Sequence, residues 1–413
     1  MSPTTRVLIG LAAGALIGLV LASKSPAAAL VVADFVQPIG KLWLSALQMT
    51  VVPLVLALVV IGVNTATDAA ASGRTARRAI VVFIVLLALG AVVAALAAPP
   101  LLALFPHSAA LTEALNSAVA SHSPVTAAPV GWADWLNGIV PANAIMAAAQ
   151  SAMLPLVVFA LFLGFALTRI EPTRRALVVE FFQAIADAMI VIVRWVLWLA
   201  PFGVFALILA VCARAGLHML SALAVYVLVE CIIYLAVTLL MLPVAMVWGG
   251  ESIRRFAVAI APAQVVAAST QSSLASLPAM LESADRRLNY PPQVTALVLP
   301  MAVSLFRLTS PVQYIVSASF IAWAYGIDLG VAQLAAGAAL AVVISLGSVG
   351  LPGQVTFIAT NLPVAQAMGL PLGPLGLMLA VDTLPDALAT LGNVTADLTA
   401  TSVVSAQSRK DEA

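Results

Sequence analysis

The chain has 413 residues, 63% of them hydrophobic and 8% charged, with a mean hydropathy of +1.12. So few charges cannot cover the surface of a water-soluble protein of this length, which excludes a soluble enzyme or a nucleic-acid-binding protein and leaves an integral membrane protein. A net charge of +1 names no partner beyond the bilayer.

The apolar stretches are long and rich in Ala, Leu and Val, without the alternation of a lipid-facing barrel, so the expected fold is an all-α membrane protein. Six ordinary spans are expected near Val7–Ala22, Leu42–Val63, Ala79–Phe105, Ala142–Leu167, Ala188–Ala213 and Leu220–Trp248. The first could pass for a signal peptide, but many spans follow it and it reads as a retained helix. A polar loop, Pro106 to Pro141, carries His107 and His122, which are expected to be solvated. Cys212 and Cys231 lie in apolar surroundings and are expected to be core residues rather than a disulfide.

After Trp248 the apolar segments shorten and are interrupted by Gly, Pro and Ser. Ile253–Leu281 has a Ser-rich break around Ser269 to Pro278, and Val331–Met368 has a Gly-rich break from Ser345 to Gly353. Each reads as two half-helices joined by a small tip, with a long helix near Val294–Ala324 between them. Interrupted segments at matching places in two repeats point to a transporter's binding site. The last segment holds Asp382, Asp386, Asn393 and Asp397. At about 100° per residue they fall within roughly 60° of one another around one continuous helix. Each carboxylate placed in a bilayer costs at least ~2.5 kcal/mol, so this stripe must face protein or water and is a candidate functional site.

Six spans, two re-entrant hairpins and two further helices place thirteen of the eighteen basic residues at cytoplasmic ends, from Arg6 to Lys410. That bias puts both termini in the cytoplasm of a multi-pass protein of the cell membrane. From Pro291 to Ala406 the charged residues are Arg307, Asp328, Asp382, Asp386 and Asp397. Asp328 follows Gly326 at an expected outer turn. Arg307 keeps its charge and needs a carboxylate or a bound anion. It either forms a structural ion pair with Asp386 or Asp397, or lines a substrate site with them. Half-helix N-termini at the two tips are suited to carboxylates.

Met49-Thr-Val-Val-Pro53, Ala200-Pro-Phe-Gly-Val-Phe-Ala206, Ser272-Ser-Leu-Ala-Ser-Leu-Pro278, Gly347-Ser-Val-Gly-Leu-Pro-Gly353 and Asn393-Val-Thr-Ala-Asp397 together resemble the dicarboxylate/amino acid:cation symporters, the family of the glutamate and aspartate transporters. The resemblance implies eight transmembrane helices and two re-entrant hairpins, assembled as a homotrimer working by an elevator mechanism. Residues 1–250 would be mainly scaffold and trimer contact, with the third and sixth spans candidates to move. Residues 251–405 would form the transport-domain core, and 406–413 a cytoplasmic tail. It implies that Asp386 holds a substrate amino group and Asn393 its α-carboxylate. Ser272, Ser273, Ser310, Gly350, Ala389 and Thr390 would complete the site, and Asp397 would be a sodium-site carboxylate.

Departures from the family pattern sharpen this. The Asn-Met-Asp-Gly-Thr motif is here Phe306-Arg307-Leu308-Thr309-Ser310, and expected hydroxyls of the third span are Leu86 and Leu87. Hard cations need oxygen ligands, so sodium coupling of the family's kind is not expected, and neither a bound metal nor a cofactor is. Ala389 and Gln271 stand where acidic-substrate members carry an arginine, which favours a neutral amino acid. Arg307 would stand in for a bound cation, with Asp382 and Asp397 in the charge balance, or would contact a second substrate carboxylate. A proton carrier would have to be Asp382, Asp386 or Asp397; exchange without a coupling ion stays open. An anion-conducting channel is the alternative from another class, and an intramembrane aspartyl hydrolase has no supporting motif.

Overall fold

The computed structural model describes residues 3–71, 73–106, 112, 139–215, 217–347 and 353–412, and regular structure there is entirely helical. In chain order the helices are α1 (Pro3–Lys24), α2 (Pro26–Gln48), α3 (Val51–Ala71), α4 (Arg74–Ala103), α5 (Ala144–Ala149), α6 (Met153–Leu167), α7 (Pro172–Trp198), α8 (Ala200–Ala215) and α9 (Leu217–Val247). They continue with α10 (Ile253–Thr270), α11 (Ser273–Glu282), α12 (Pro292–Leu305), α13 (Thr309–Tyr325), α14 (Val331–Gly347), α15 (Gly353–Ala367), α16 (Leu375–Val381) and α17 (Thr383–Glu412). Among the described residues five helical stretches are long and apolar enough to cross a membrane, and a sixth if α16 and α17 count as one bent span. Four shorter apolar helices accompany them, within α1, α6, α8 and α14.

Several breaks fall where hydropathy alone expects continuity. The expected span Leu42–Val63 straddles the α2–α3 junction at Met49–Thr50, and Ala188–Ala213 straddles the α7–α8 junction at Leu199. The expected long helix Val294–Ala324 is interrupted at Phe306–Leu308, and the aspartate line bends by 79° at Asp382. One cause serves all four. Pro53, Pro201, Pro311 and Pro385 each lie in the first turn of the helix after the break. Proline there lacks only an N–H that has no intrahelical partner, whereas further inside it would clash with the preceding turn.

Packing follows small residues. Gly10, Gly14 and Gly18 recur every fourth residue on α1 and face α8, so the backbones approach closely. A Cβ at Gly14 would stand 2.6 Å from the Phe205 carbonyl oxygen. Backbone cannot swing aside as a side chain can, so Gly14→Val is expected to destabilise the α1–α8 pair by ~1–3 kcal/mol. A lower midpoint in a detergent unfolding scan, unmoved by Leu16→Val at an exposed neighbour, checks it.

Arginines near three helix ends lie close to one another. Arg78 donates to the Gln407 carbonyl at 3.3 Å, Arg255 donates to the Leu288 carbonyl at 3.0 Å, and the Arg409 guanidinium lies 6.0 Å from the centre of the Tyr290 ring. The start of α4, the start of α10 and the end of α17 therefore share one end of the bundle. Both cysteines are free thiols, Cys212 buried and Cys231 half-buried. His107, His122 and Gly350 with its hairpin tip lie outside the described residues.

Candidate functional site

The site is built where helices break. α10 ends at Gln271, whose φ of 51° turns the chain into the left-handed region. Ser272 then caps α11, its hydroxyl accepting the Ala275 N–H at 3.2 Å, and both Ser272 and Ser273 remain half-buried. This is a helix–turn–helix hairpin with a serine tip. Hairpin and aspartate helix are joined by Gln264, which donates to the Thr395 hydroxyl at 2.9 Å.

The second break separates α12 from α13 and carries Arg307. Its neighbours anchor it in apolar packing: Phe306 stacks on Phe83 of α4 with ring centres 4.9 Å apart and planes 4° from parallel, and Leu308 packs against Gly90. Leu86 and Leu87 are fully buried on the same helix. Hydrocarbon thus fills positions where the family resemblance implies oxygen ligands. Among the described residues no three His, Cys, Asp or Glu side chains are grouped to hold a metal ion. Arg307 itself is half-buried and acts electrostatically on Asp382, Asp386 and Asp397.

The third element is α17, polar yet buried along most of its length. Its hydroxyls return to their own helix: Thr395 to Leu391 O at 2.7 Å, Thr399 to Thr395 O at 2.9 Å and Thr401 to Asp397 O at 2.7 Å. Such back-bonding lets a membrane helix bury threonine without an outside partner. Gly392 permits close approach of α9 and α13, since a Cβ there would meet Thr238 Oγ1 and Thr309 Cγ2, each at 2.8 Å.

Asn393 is held from the other side. Its Oδ1 accepts both the backbone N–H and the hydroxyl of Thr309, each at 3.0 Å, which fixes the amide orientation. Its Nδ2 is buried with no hydrogen-bond acceptor among the described residues. Asp397, one turn further on, is fully buried, and neither carboxylate oxygen receives a hydrogen bond among the described residues. Asp386 is half-buried at the start of α17, with Ala389, Thr390 and Ser310 buried nearby in the same segments. Thr390 spends its hydroxyl on the Asp386 carbonyl at 2.9 Å.

One expectation is corrected here. Asp382 does not share the α17 face with Asp386, Asn393 and Asp397, because it closes α16 at the 79° bend that precedes Pro385. It lies buried at the break and accepts a 2.6 Å hydrogen bond from Gln313 Nε2.

Sequence reasoning missed three residues. Thr309 and Gln313 enter through the fold, as the partners of Asn393 and Asp382. Glu230 was open to detection, as a single acid amid the apolar residues of α9, but a charge census begun after Pro291 passes it by. It is fully buried and accepts the Tyr234 hydroxyl at 2.9 Å.

Residues 4–407 match the sodium:dicarboxylate symporter family. The chain is 28% identical over 403 residues to the proton/glutamate-aspartate symporter of Escherichia coli strain K12, covering 97% of this chain and 91% of the other. It is 28% identical over 402 residues to the proton/sodium-glutamate symport protein of Bacillus caldotenax, covering 94% and 90%. It is 29% identical over 428 aligned residues to the neutral amino acid transporter B(0) of Oryctolagus cuniculus, covering 94% and 77%. With the match running almost end to end over a helical bundle whose breaks surround a buried polar helix, the chain belongs to the sodium:dicarboxylate symporter family.

Proposed function

We propose that the protein is a secondary active transporter of small carboxylate-bearing solutes, chiefly neutral amino acids, working without the family's usual sodium coupling. The observation that carries this is the Asn393 amide. Thr309 holds it, its Nδ2 is a buried donor with no acceptor among the described residues, and Asp386 lies seven residues earlier on the same helix. A donor left unpaired in a dry site costs about 1–3 kcal/mol unless a ligand accepts from it, and an α-carboxylate does so while Asp386 takes the ammonium group. Ala389 puts no cation between Asp386 and Asn393 on α17 to receive an acidic side chain. Apolar packing of Phe306 and Leu308 against α4 supports sodium independence, with Arg307 in the role of a fixed cation.

In this reading the chain has eight transmembrane helices, two re-entrant hairpins and cytoplasmic termini. It assembles as a homotrimer, and its hairpins, α12–α13 and α16–α17 move as an elevator against the early helices. The neutral amino acid transporter among its relatives accords with the substrate class.

A thermal-shift screen of the purified protein against amino acids and dicarboxylates, each with and without sodium, tests it. A ligand that binds only the folded state stabilises it by about 2.7 kcal/mol at a hundredfold excess over Kd. Stabilisation by neutral amino acids in sodium-free buffer is expected, and strict dependence on sodium overturns the coupling half of the reading. Arg307, half-exposed beside three aspartates, favours a second reading in which it receives a dicarboxylate or an acidic amino acid; stabilisation by aspartate or succinate alone selects it. Large currents without saturable uptake select an anion channel instead.

A further inference from the structure

Arginines from four segments of the chain meet at one end of the bundle. Three of them open α4, Arg254 and Arg255 open α10, Arg286 and Arg287 close the π-helical turn Ser283–Arg287, and Arg409 stands near the end of α17. Contacts join the segments: Arg78 reaches the Gln407 carbonyl, Arg255 the Leu288 carbonyl at 3.0 Å, and Arg409 lies over the Tyr290 ring. Arg254 and Arg287 each precede one member of the Arg255–Leu288 contact, and both are exposed.

The acids of this end are already engaged. Glu251 is buried and 3.8 Å from Arg255, Glu282 lies 3.7 Å from Arg286, and Asp285 accepts the Thr295 hydroxyl at 2.8 Å. Lys410, Asp411 and Glu412 together add one net negative charge, so the arginines remain in surplus. Among the described residues neither Arg254 nor Arg287 has a carboxylate partner. Topology sorting asks only that basic residues lie on the inner side of the membrane. It does not ask that four segments bring them to one patch.

α10 continues the patch as an apolar lane. At about 100° per residue, Arg254, Val258, Ala261 and Val265 fall within roughly 60° of one another around the helix, and all four are exposed, Val258 by 63% and Val265 by 68%. From Arg254 to Val265 the lane runs about 16 Å, close to half of a ~30 Å hydrocarbon core. Trp248, exposed just after α9, adds an aromatic ring of the kind that sits at headgroup level. A guanidinium fork matches phosphate oxygens. A small soluble anion satisfies the arginines and leaves the lane uncovered, while a zwitterionic lipid covers the lane and sets its own cation against the arginines.

We propose that Arg254 and Arg287 hold the phosphate of an anionic phospholipid whose acyl chain lies along the Val258–Val265 face of α10. Bound there, the lipid offsets the like charges of α10 and the Ser283–Arg287 turn and ties the first half of the serine-tipped hairpin to its base. The inference takes from the reading above only that this end of the bundle lies at a membrane surface, and it is independent of the substrate.

Native mass spectrometry of the full-length protein, released from micelles holding equal amounts of phosphatidylglycerol and phosphatidylcholine with the same acyl chains, reads retention directly. The wild-type protein is expected to keep phosphatidylglycerol. At about fivefold per arginine near a membrane surface, Arg254→Gln/Arg287→Gln is expected to lower retention about 25-fold. Arg254→Lys/Arg287→Lys should keep most of it, and Arg6→Gln, at the start of α1, all of it. Equal retention of both lipids by the wild type, undiminished retention in the glutamine double variant, or an equal loss in Arg6→Gln overturns the proposal. Val258→Asn/Val265→Asn is expected to weaken retention about fivefold through lost apolar contact, and no change there overturns it as well. In thermal unfolding, phosphatidylglycerol is expected to raise the wild-type midpoint above that in phosphatidylcholine, and inorganic phosphate to leave it in place; an equal rise with phosphate reduces the patch to a small-anion site and overturns the lipid. Where the double variant melts lower in phosphatidylcholine alone, the single Arg287→Gln change carries the same test at about fivefold. Retention as expected in a protein that moves no amino acid leaves the lipid site standing and removes the transporter reading.

Discussion

Replacing Arg307 by methionine is expected to cut substrate uptake about a hundredfold at neutral pH, equivalent to about 2.7 kcal/mol, and to lower the thermal unfolding midpoint. The segment that carries Arg307 is anchored on both sides, by Phe306 stacked on Phe83 and Leu308 against Gly90, so the backbone has no reason to move when the guanidinium is removed. What changes is charge. Asp382, Asp386 and Asp397 lose the cation that acts on all three. Removing one member of a fully buried pair costs ~3–5 kcal/mol. Arg307 is partly exposed, so the stability loss should fall below that range. Protons can replace the lost charge, so activity and stability of the variant should recover as pH falls, with Arg307→Lys intermediate because it keeps the charge but not the planar fork. A methionine variant that binds and transports like wild type at every pH removes Arg307 from both the charge balance and the substrate site.

Asn393→Asp is expected to weaken binding of any carboxylate-bearing substrate by ~10–100-fold, as ~1.5–3 kcal/mol is lost with a hydrogen bond to a charged group. The substitution changes almost no volume and keeps Oδ1 as acceptor for both Thr309 donors. It converts the unpartnered Nδ2 donor into an oxygen that repels the ligand carboxylate. Thr309→Val separates support from contact: it removes one of the two bonds that orient the amide, and should weaken binding by less than tenfold. Isothermal titration of the purified variants with the ligand found in the thermal-shift screen reads both effects. Equal losses for the two variants place Asn393 in a structural role instead.

Much of this architecture is visible along the chain, for local reasons. The apolar runs, the serine break at Ser272–Ser273 and the polar line of α17 depend on residues within a few turns of one another, and hydropathy and helical period register them. Four helix junctions were also present in the sequence, in Pro53, Pro201, Pro311 and Pro385, but proline marks a break only when it falls in a first turn. Choosing between kink and junction needs the packing around it. The expected face of three aspartates failed for that reason: 100° per residue holds only while the axis runs on, and it turns at Asp382.

By itself the sequence determined that this is a helical membrane protein with broken segments around an arginine, three aspartates and an asparagine, because solvent transfer and helical period are properties of composition and short range. Tertiary structure decided which groups meet. It orients Asn393 through Thr309, seats Gln313 on Asp382, and packs Phe306 and Leu308 into α4 where oxygen ligands were implied. Glu230 and Asp382 stand 152 positions apart in the chain. Only the packing of α9 against α13, α16 and α17 encloses both in one interior, where each is fully buried.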